Sequence, residues 1–354
     1  MRAIQQSTDF ELQLTVTGMH LSAEFGLTYK QIEADGFVIN EKVEILLSSD
    51  TSTGVAKSIG LATIGFSDAL QRLKPDLLII LGDRFEMLAV AQTALVMQIP
   101  IAHIHGGECT FGAYDDAIRH SITKMATWHF TSTESHRNRV IQLGENPEHV
   151  WNVGAIGIEN ILTLELMTKK ELYANLQLNI DKSMFLVTYH PETNLQTDGI
   201  YPLLKALDSY PHVNLIFTKA NADNGGRQIN EVLEEYTSKH DNAYLFDSLG
   251  QLRYLSAVKQ ATVVIGNSSS GLIEVPYLET PTVNCGERQA GRVKPSSVFD
   301  CTLEVQSIED AIKNAFVYKG PFDQLFGDGH VVEKIMAELK QIPSFSVQKG
   351  FYDL

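Results

Sequence analysis

Two doubly wound α/β domains are the fold class that this sequence predicts, on three observations. Short runs rich in Val, Ile and Leu alternate with longer segments whose apolar residues recur at helical spacing. That rhythm stops and starts again after residue 160. The length, 354 residues, suits two domains at roughly 150 residues each. We therefore expect residues 1–160 to form one Rossmann-like domain and residues 161–354 a second.

Taken in chain order, a helical fragment, MRAIQQST, leads straight into a strand at LQLTVTG (13–19). Strands follow at LLIILGD (77–83), IPIAHIHGG (99–107), WHFTST (128–133) and VWNVG (150–154). Between them SIGLATIGFSDALQRLK (58–74) and EMLAVAQTALVMQ (86–98) carry the helical period. The second domain offers strands at MFLVTYH (184–190), NLIFTKA (214–220), NAYLFDS (242–248), TVVIGNS (262–268) and TPTVNCG (280–286). A doubly wound domain ordinarily opens on a strand, so the helical start of the first domain stands out.

Composition narrows the function. With 44% hydrophobic and 20% charged residues the chain can bury a sizeable core. A formal net charge of −15 argues against a nucleic-acid surface and leaves room for a small, local phosphate site. Cys109, Cys285 and Cys301 match neither a disulfide framework nor a metal pattern, which fits a reducing cytoplasm. No apolar run approaches the ~20 residues that span a bilayer, so no membrane partner is expected.

Polar and glycine-containing residues gather where strands end, at ILGDRFE, HIHGGE, YHPETN, GNSSSG and NCGERQAGR. Ligands of open α/β sheets bind in the crevice at these carboxyl ends, so five such ends from two domains predict one shared inter-domain site. GNSSSGLIEVP (266–276) leaves a strand and enters a helix, where Ser269, Ser270 and Gly271 present hydroxyls and amides to a phosphate. The bland alternative is a serine-rich helix cap. Glu274, one turn on, is placed for a ligand hydroxyl. Arg288 supplies a fork suited to phosphate oxygens, and Arg292 is the weaker candidate of that loop. His190 closes an apolar strand, and Tyr254 is a stacking or a core aromatic.

The first domain contributes carboxylates. Asp83 follows a long buried strand; Glu108, Asp115 and Asp116 cluster beyond HIHGG, and Arg119 stands four residues after Asp115 on one helix face. Carboxylates crowded in a closing site raise one another's pKa, which supplies both an acid and a base near neutral pH.

Read in order, ILGDRFE, HIHGGE followed by DDAIRHSITKMA, YHPETN, GNSSSGLIEVP and GERQAGR resemble the hydrolysing UDP-N-acetylglucosamine 2-epimerases, over about residues 10 to 345. The resemblance implies a glycosyltransferase-B-like (GT-B-like) fold, with a C-terminal helix near 330–341 returning toward the first domain. It implies loss of the C2 proton, anti elimination of UDP to 2-acetamidoglucal, and addition of water to give N-acetylmannosamine for sialic acid synthesis. No cofactor and no metal are expected, and a homodimer or homotetramer is.

By the same resemblance Arg288, Ser269, Ser270 and Gly271 hold the diphosphate, Glu274 the ribose and Tyr254 the uracil region, while His190 sits by the leaving phosphate. Asp83, Glu108 and Asp115 are the acid/base candidates, with Arg119 fixing Asp115. Relatives carry a catalytic glutamate where this chain has His105, so His105 joins the catalytic candidates. Relatives also begin with a strand and a phosphate-contacting GTRA(D/E)YG-like loop, so we expect impaired activity from a chain that lacks them. The readings kept beside this one are the same chemistry on UDP-2,4-diacetamido-2,4,6-trideoxyglucose for legionaminic acid synthesis, a non-hydrolysing epimerase, a retaining glycosyltransferase and an inactive UDP-binding protein.

Overall fold

The computed structural model describes residues 1–23, 26–47, 51–110, 114–191, 199–220 and 226–354, with Arg227 described by its backbone alone. Residues 192–194 of YHPETN lie outside the described residues. The chain forms two compact units. Unit 1 comprises Met1–Glu108, Tyr114–Ala155 and His330–Leu354; unit 2 comprises Ile156–Gly329 with the loop at Cys109 and Thr110.

Unit 1 opens with a one-turn helix, α1 (Arg2–Gln5), strand β1 (Thr15–Thr17), helix α2 (Tyr29–Ala34) and strand β2 (Glu41–Val43), which pairs in parallel with β1. The 22-residue α3 (Ser52–Leu73) follows. Its Thr51 hydroxyl caps the first turn at Gly54, and Ala62, Phe66, Ala69 and Leu70 make its buried stripe. Lys74 then turns left-handed ahead of Pro75, where a helix cannot continue.

Next come β3 (Leu78–Leu81), α4 (Phe85–Val96), β4 (Ile101–Ile104), α5 (Asp115–Met125), β5 (Trp128–Thr131), α6 (Glu134–Gln142) and β6 (Val150–Asn152). The strands form a four-stranded parallel sheet in the order β3-β4-β5-β6, apart from the β1-β2 pair. A core of Ile80, Ala89, Ala94, Ile101 and Ile122, with Phe66 and Leu70 from α3, fills one face.

Unit 2 begins with α7 (Ile156–Thr163) and α8 (Lys169–Asn175). A reciprocal Thr168–Glu171 cap starts α8. Then follow β7 (Ser183–Thr188), α9 (Ile200–Leu207), β8 (Val213–Thr218), α10 (Gly226–Lys239), β9 (Ala243–Phe246), α11 (Gly250–Gln260), β10 (Val263–Gly266), the one-turn α12 (Ser270–Ile273), β11 (Thr282–Cys285), β12 (Val298–Cys301) and α13 (Val305–Val317). The sheet is parallel throughout, in the order β12-β11-β10-β7-β8-β9. Counted within the unit this is the 3-2-1-4-5-6 order of dinucleotide-binding sheets, whose direction of winding reverses between β7 and β10. The last helix, α14 (Val331–Gln341), belongs to unit 1.

All ten apolar runs read as strands contain one. The pattern passes over β2 and β12, whose residues EKV and VFDC include charged side chains that break an apolar run. The helix expected from GNSSSGLIEVP is a single turn followed by the 3-10 segment Val275–Leu278, because Pro276 removes an amide that a continuing α-helix would use. No helix among the described residues is long and apolar enough to cross a membrane.

Candidate functional site

Unit 1 gathers its polar groups at the carboxyl ends of β3, β4 and β5. Asp83 follows β3 through Gly82 and forms an ion pair with Arg119 of α5. The Arg119 side chain is only 4% exposed, so its charge needs compensation. Asp116 Oδ1 at 3.3 Å and the Glu108 carbonyl oxygen at 2.8 Å complete that compensation. The i,i+4 spacing put Asp115 beside Arg119; the guanidinium instead reaches Asp83 and Asp116, and its charge acts on Asp115 through space. Burial raises the Asp115 carboxyl above its usual range, the Asp83 charge adds to the rise, and Arg119 and Arg84 partly offset it.

The HIHGGE segment explains itself residue by residue. His103 points into the interior, its Nε2 2.8 Å from the Gly82 carbonyl oxygen, and burial lowers its pKa to about 3. This imidazole is a neutral tie between the ends of β3 and β4. His105 adopts φ 66°, a left-handed conformation that a non-glycine residue holds at a cost. Gly107, at φ 81°, lies so close to α6 that a Cβ there would be 2.3 Å from the His136 carbonyl oxygen. The turn brings Glu108 back beneath His105, whose Nδ1 is 3.2 Å from Glu108 Oε1.

Three residues of this region went unnoticed in the sequence. Ser132 Oγ donates to Glu108 Oε1 at 3.0 Å, His136 Nδ1 is 2.9 Å from the same hydroxyl, and Arg139 donates to the Gly107 carbonyl. Burial pulls His136 down to about 4, against the pull of Glu108, so its imidazole is neutral at physiological pH. All three lie in TSTESHRNR, Ser132 in the last residues of the predicted strand WHFTST and the other two just after it. That position was the available signal.

Unit 2 presents its groups at the reversal between β7 and β10. Gly266 ends β10 at φ 139°, and a Cβ there would be 1.9 Å from the Thr188 carbonyl oxygen. Glycine therefore lets the two strand ends converge. Asn267, fully buried, clamps His190 by both backbone groups: its Oδ1 accepts the His190 amide at 2.7 Å and its Nδ2 donates to the His190 carbonyl at 2.8 Å. Asn267 is a positioning residue that the motif reading missed. Its own carbonyl accepts from Arg288 Nη1 at 3.1 Å and from the buried Gln289 Nε2 at 2.8 Å. The arginine of NCGERQAGR is thereby brought to the serine loop.

Ser269 stands at the N-cap position of α12 without a side-chain cap bond, and Gly271 packs against Thr282, whose hydroxyl donates to the Gly271 carbonyl at 2.8 Å. Tyr254 OH donates to Ser270 Oγ at 2.9 Å, and Ser270 in turn donates to Glu274. Burial pushes Tyr254 up to about 12, so the phenol stays a donor. With only one helical turn the dipole at Ser270 is small, and Arg288 is the chief positive charge of this cluster. Arg292 donates to Thr110 Oγ1 at 3.4 Å.

A six-stranded sheet in dinucleotide-binding order, with a buried clamp at its reversal point, and a parallel α/β unit rich in carboxylates define the class: a GT-B-like protein built from two Rossmann-type domains. The family model described as UDP-N-acetylglucosamine 2-epimerase matches residues 2–340, and the chain belongs to that family. It is 47% identical over 315 residues to the GDP/UDP-N,N'-diacetylbacillosamine 2-epimerase (hydrolyzing) of Campylobacter jejuni, covering 88% of this chain and 81% of the relative. It is 41% identical to the polysialic acid biosynthesis protein P7 of Escherichia coli, covering 86% and 78%. The UDP-GlcNAc 2-epimerase of Neisseria meningitidis bound to UDP-GlcNAc has the same fold, with a TM-score of 0.82, 16% identity and coverage of 96% and 94%.

Proposed function

We propose that this chain is a hydrolysing 2-epimerase of a UDP-2-acetamido sugar, and that its substrate is UDP-2,4-diacetamido-2,4,6-trideoxyglucose, the UDP derivative of N,N'-diacetylbacillosamine. The observation that carries the reaction is the unit 1 cluster, which sets Asp115, its carboxyl raised by burial, beside the Asp83–Arg119 ion pair and a His105–Glu108 pair. An acid and a base kept apart in this way suit removal of the C2 proton and its later return. Elimination breaks the C2–H and C1–O bonds, forms the C1–C2 double bond and releases UDP. Water then adds its oxygen at C1 while a proton reaches C2 from the other face. In unit 2, Arg288 with Ser269, Ser270 and Gly271 receives the diphosphate, Glu274 the ribose, Tyr254 the uracil region, and His190 the departing phosphate.

The name of the 47% identical relative favours the diacetamido sugar. A second reading keeps the chemistry on UDP-N-acetylglucosamine for sialic acid synthesis, favoured by the polysialic acid protein of Escherichia coli. Homo-oligomer formation also belongs to this proposal: α3 and α4 leave Leu61, Ile64, Leu95 and Val96 exposed. Incubating each UDP sugar with the protein in heavy water tests the reading. The expected result is UDP release with one deuterium at C2 of the free sugar, faster from the diacetamido substrate. Release from neither sugar overturns the reaction, and faster release from UDP-N-acetylglucosamine overturns the substrate.

A further inference from the structure

The side chains around HIHGGE form one directed chain of hydrogen bonds. Glu108, as a carboxylate, can only accept. The Ser132 hydroxyl donates its single proton to Glu108 Oε1 at 3.0 Å, so at the 2.9 Å contact the His136 Nδ1–H donates to Ser132. His105 Nδ1, 3.2 Å from the same carboxylate oxygen, must likewise carry a proton. A neutral His105 therefore holds its basic lone pair on Nε2.

The direction is built in by burial. Ser132 is fully buried and His136 is 4% exposed, so neither exchanges its partner readily for water. Arg139 anchors Gly107, and the left-handed backbone at His105 turns the imidazole onto Glu108. A carboxylate behind an imidazole sets its tautomer and stabilises the imidazolium formed when it takes a proton. Among the described residues, the His105 charge acts on His103 of β4 and His136 of α6, Arg119 of α5 acts on both of these imidazoles, and Arg139 of α6 acts on His136.

We infer that His105 Nε2 is the base that removes the C2 proton, that Glu108 is a positioning residue that fixes the His105 tautomer, and that Ser132 and His136 hold Glu108 in place. This rests on the elimination proposed above. In the step, the C2 proton passes to His105 Nε2, the C2–H electron pair becomes the C1–C2 double bond, and the C1–O pair leaves with UDP. Asp115, with its raised pKa, is left for the acid role.

Nitrogen-15 spectra of the imidazoles in the substrate-free protein read the tautomer directly, with the His105 signal assigned by its loss in His105→Gly. The wild type is expected to carry the proton on Nδ1, and Glu108→Ala and Ser132→Ala to shift His105 toward the Nε2–H form. In turnover, His105→Gly should lose about 10²–10⁴ in kcat with KM little changed, and added imidazole should restore part of it. Glycine also relieves the left-handed backbone at this position, so this variant is suited to folding. Glu108→Ala should lose less than His105→Gly and should gain nothing from formate. An Nε2–H tautomer in the wild type overturns the inference, as does a Glu108→Ala loss larger than that of His105→Gly with rescue by formate. Absence of UDP release from the wild type counts against the reaction instead, since the tautomer is read without substrate.

Discussion

The two units use the same kind of sheet and differ in how it is completed. In unit 2 six parallel strands run without interruption, and β7, near the middle, is buried from Met184 to Thr188. In unit 1 the β1-β2 pair stands apart from β3-β4-β5-β6, and Leu81 at the end of β3 is 54% exposed. Unit 2 is also nearly continuous in sequence, whereas unit 1 takes α14 and the C-terminal segment from the far end of the chain. The contrast teaches that a site can be held in two ways. At the reversal between β7 and β10, two adjacent strands and a buried Asn267 position His190. In unit 1, a left-handed turn and a relay of side chains play the equivalent part.

The sharpest break of that comparison exchanges one glycine in each unit. Gly266→Ala forces a Cβ onto the Thr188 carbonyl at a φ that side chains rarely adopt, and should cost on the order of 4 kcal/mol or more. Thermal melting should show the loss, and calorimetry should show no UDP binding. Gly107→Ala also collides with backbone, at His136, but strains a loop instead of the sheet. UDP binding should survive there while UDP release is lost. Equal loss of binding in both variants would contradict the division of labour.

A smaller effect compares the strands themselves. Leu186→Ala, in a fully buried position of β7, should cost about 2–5 kcal/mol by denaturant titration. Leu81→Ala at the open side of β3 should fall within about 0.5 kcal/mol. A cost for Leu81 comparable to that for Leu186 would mean that the β3 edge is covered in solution.

A further effect, and one that depends on pH, concerns the staple that closes unit 1. Glu145, 2% exposed, is met by Lys124 Nζ at 2.6 Å, Lys349 Nζ at 2.6 Å and His129 Nε2 at 3.1 Å, and Lys349 also donates to the Ala126 carbonyl. Burial pushes the carboxyl up, but hydrogen bonds from His129, Lys124 and Lys349 outweigh it and bring the group down to about 2. A carboxyl depressed in the folded state stabilises above its unfolded pKa of about 4.3, and that contribution is lost as pH falls toward about 2. Glu145→Ala should cost about 2–3 kcal/mol at neutral pH, less than a fully buried pair because Lys124 is 40% exposed. The difference from wild type should shrink between pH 4.5 and 2 in melts followed by circular dichroism, and a difference independent of pH would sink this account.

Much of this was legible beforehand. Apolar runs marked the strands because buried parallel strands need side chains apolar on both faces. The polar residues at their ends marked groups that the fold brings together: Asp83, Arg119 and Glu108 meet in unit 1, and Ser270, Glu274 and Tyr254 meet in unit 2. Asn267, Ser132 and His136 escaped notice because each acts by holding another residue, and such contacts span distances in sequence that no local pattern records.

By itself the sequence determined the alternation of strand and helix, the two-domain character and the chemical types gathered at the strand ends, because periodicity and burial are local and additive. Only the tertiary structure decided that Arg119 answers Asp83 and Asp116, that the last helix joins unit 1, and that His105 Nδ1 faces Glu108. Charge compensation and hydrogen-bond direction depend on which groups burial brings within about 3 Å, and that is a property of the folded chain.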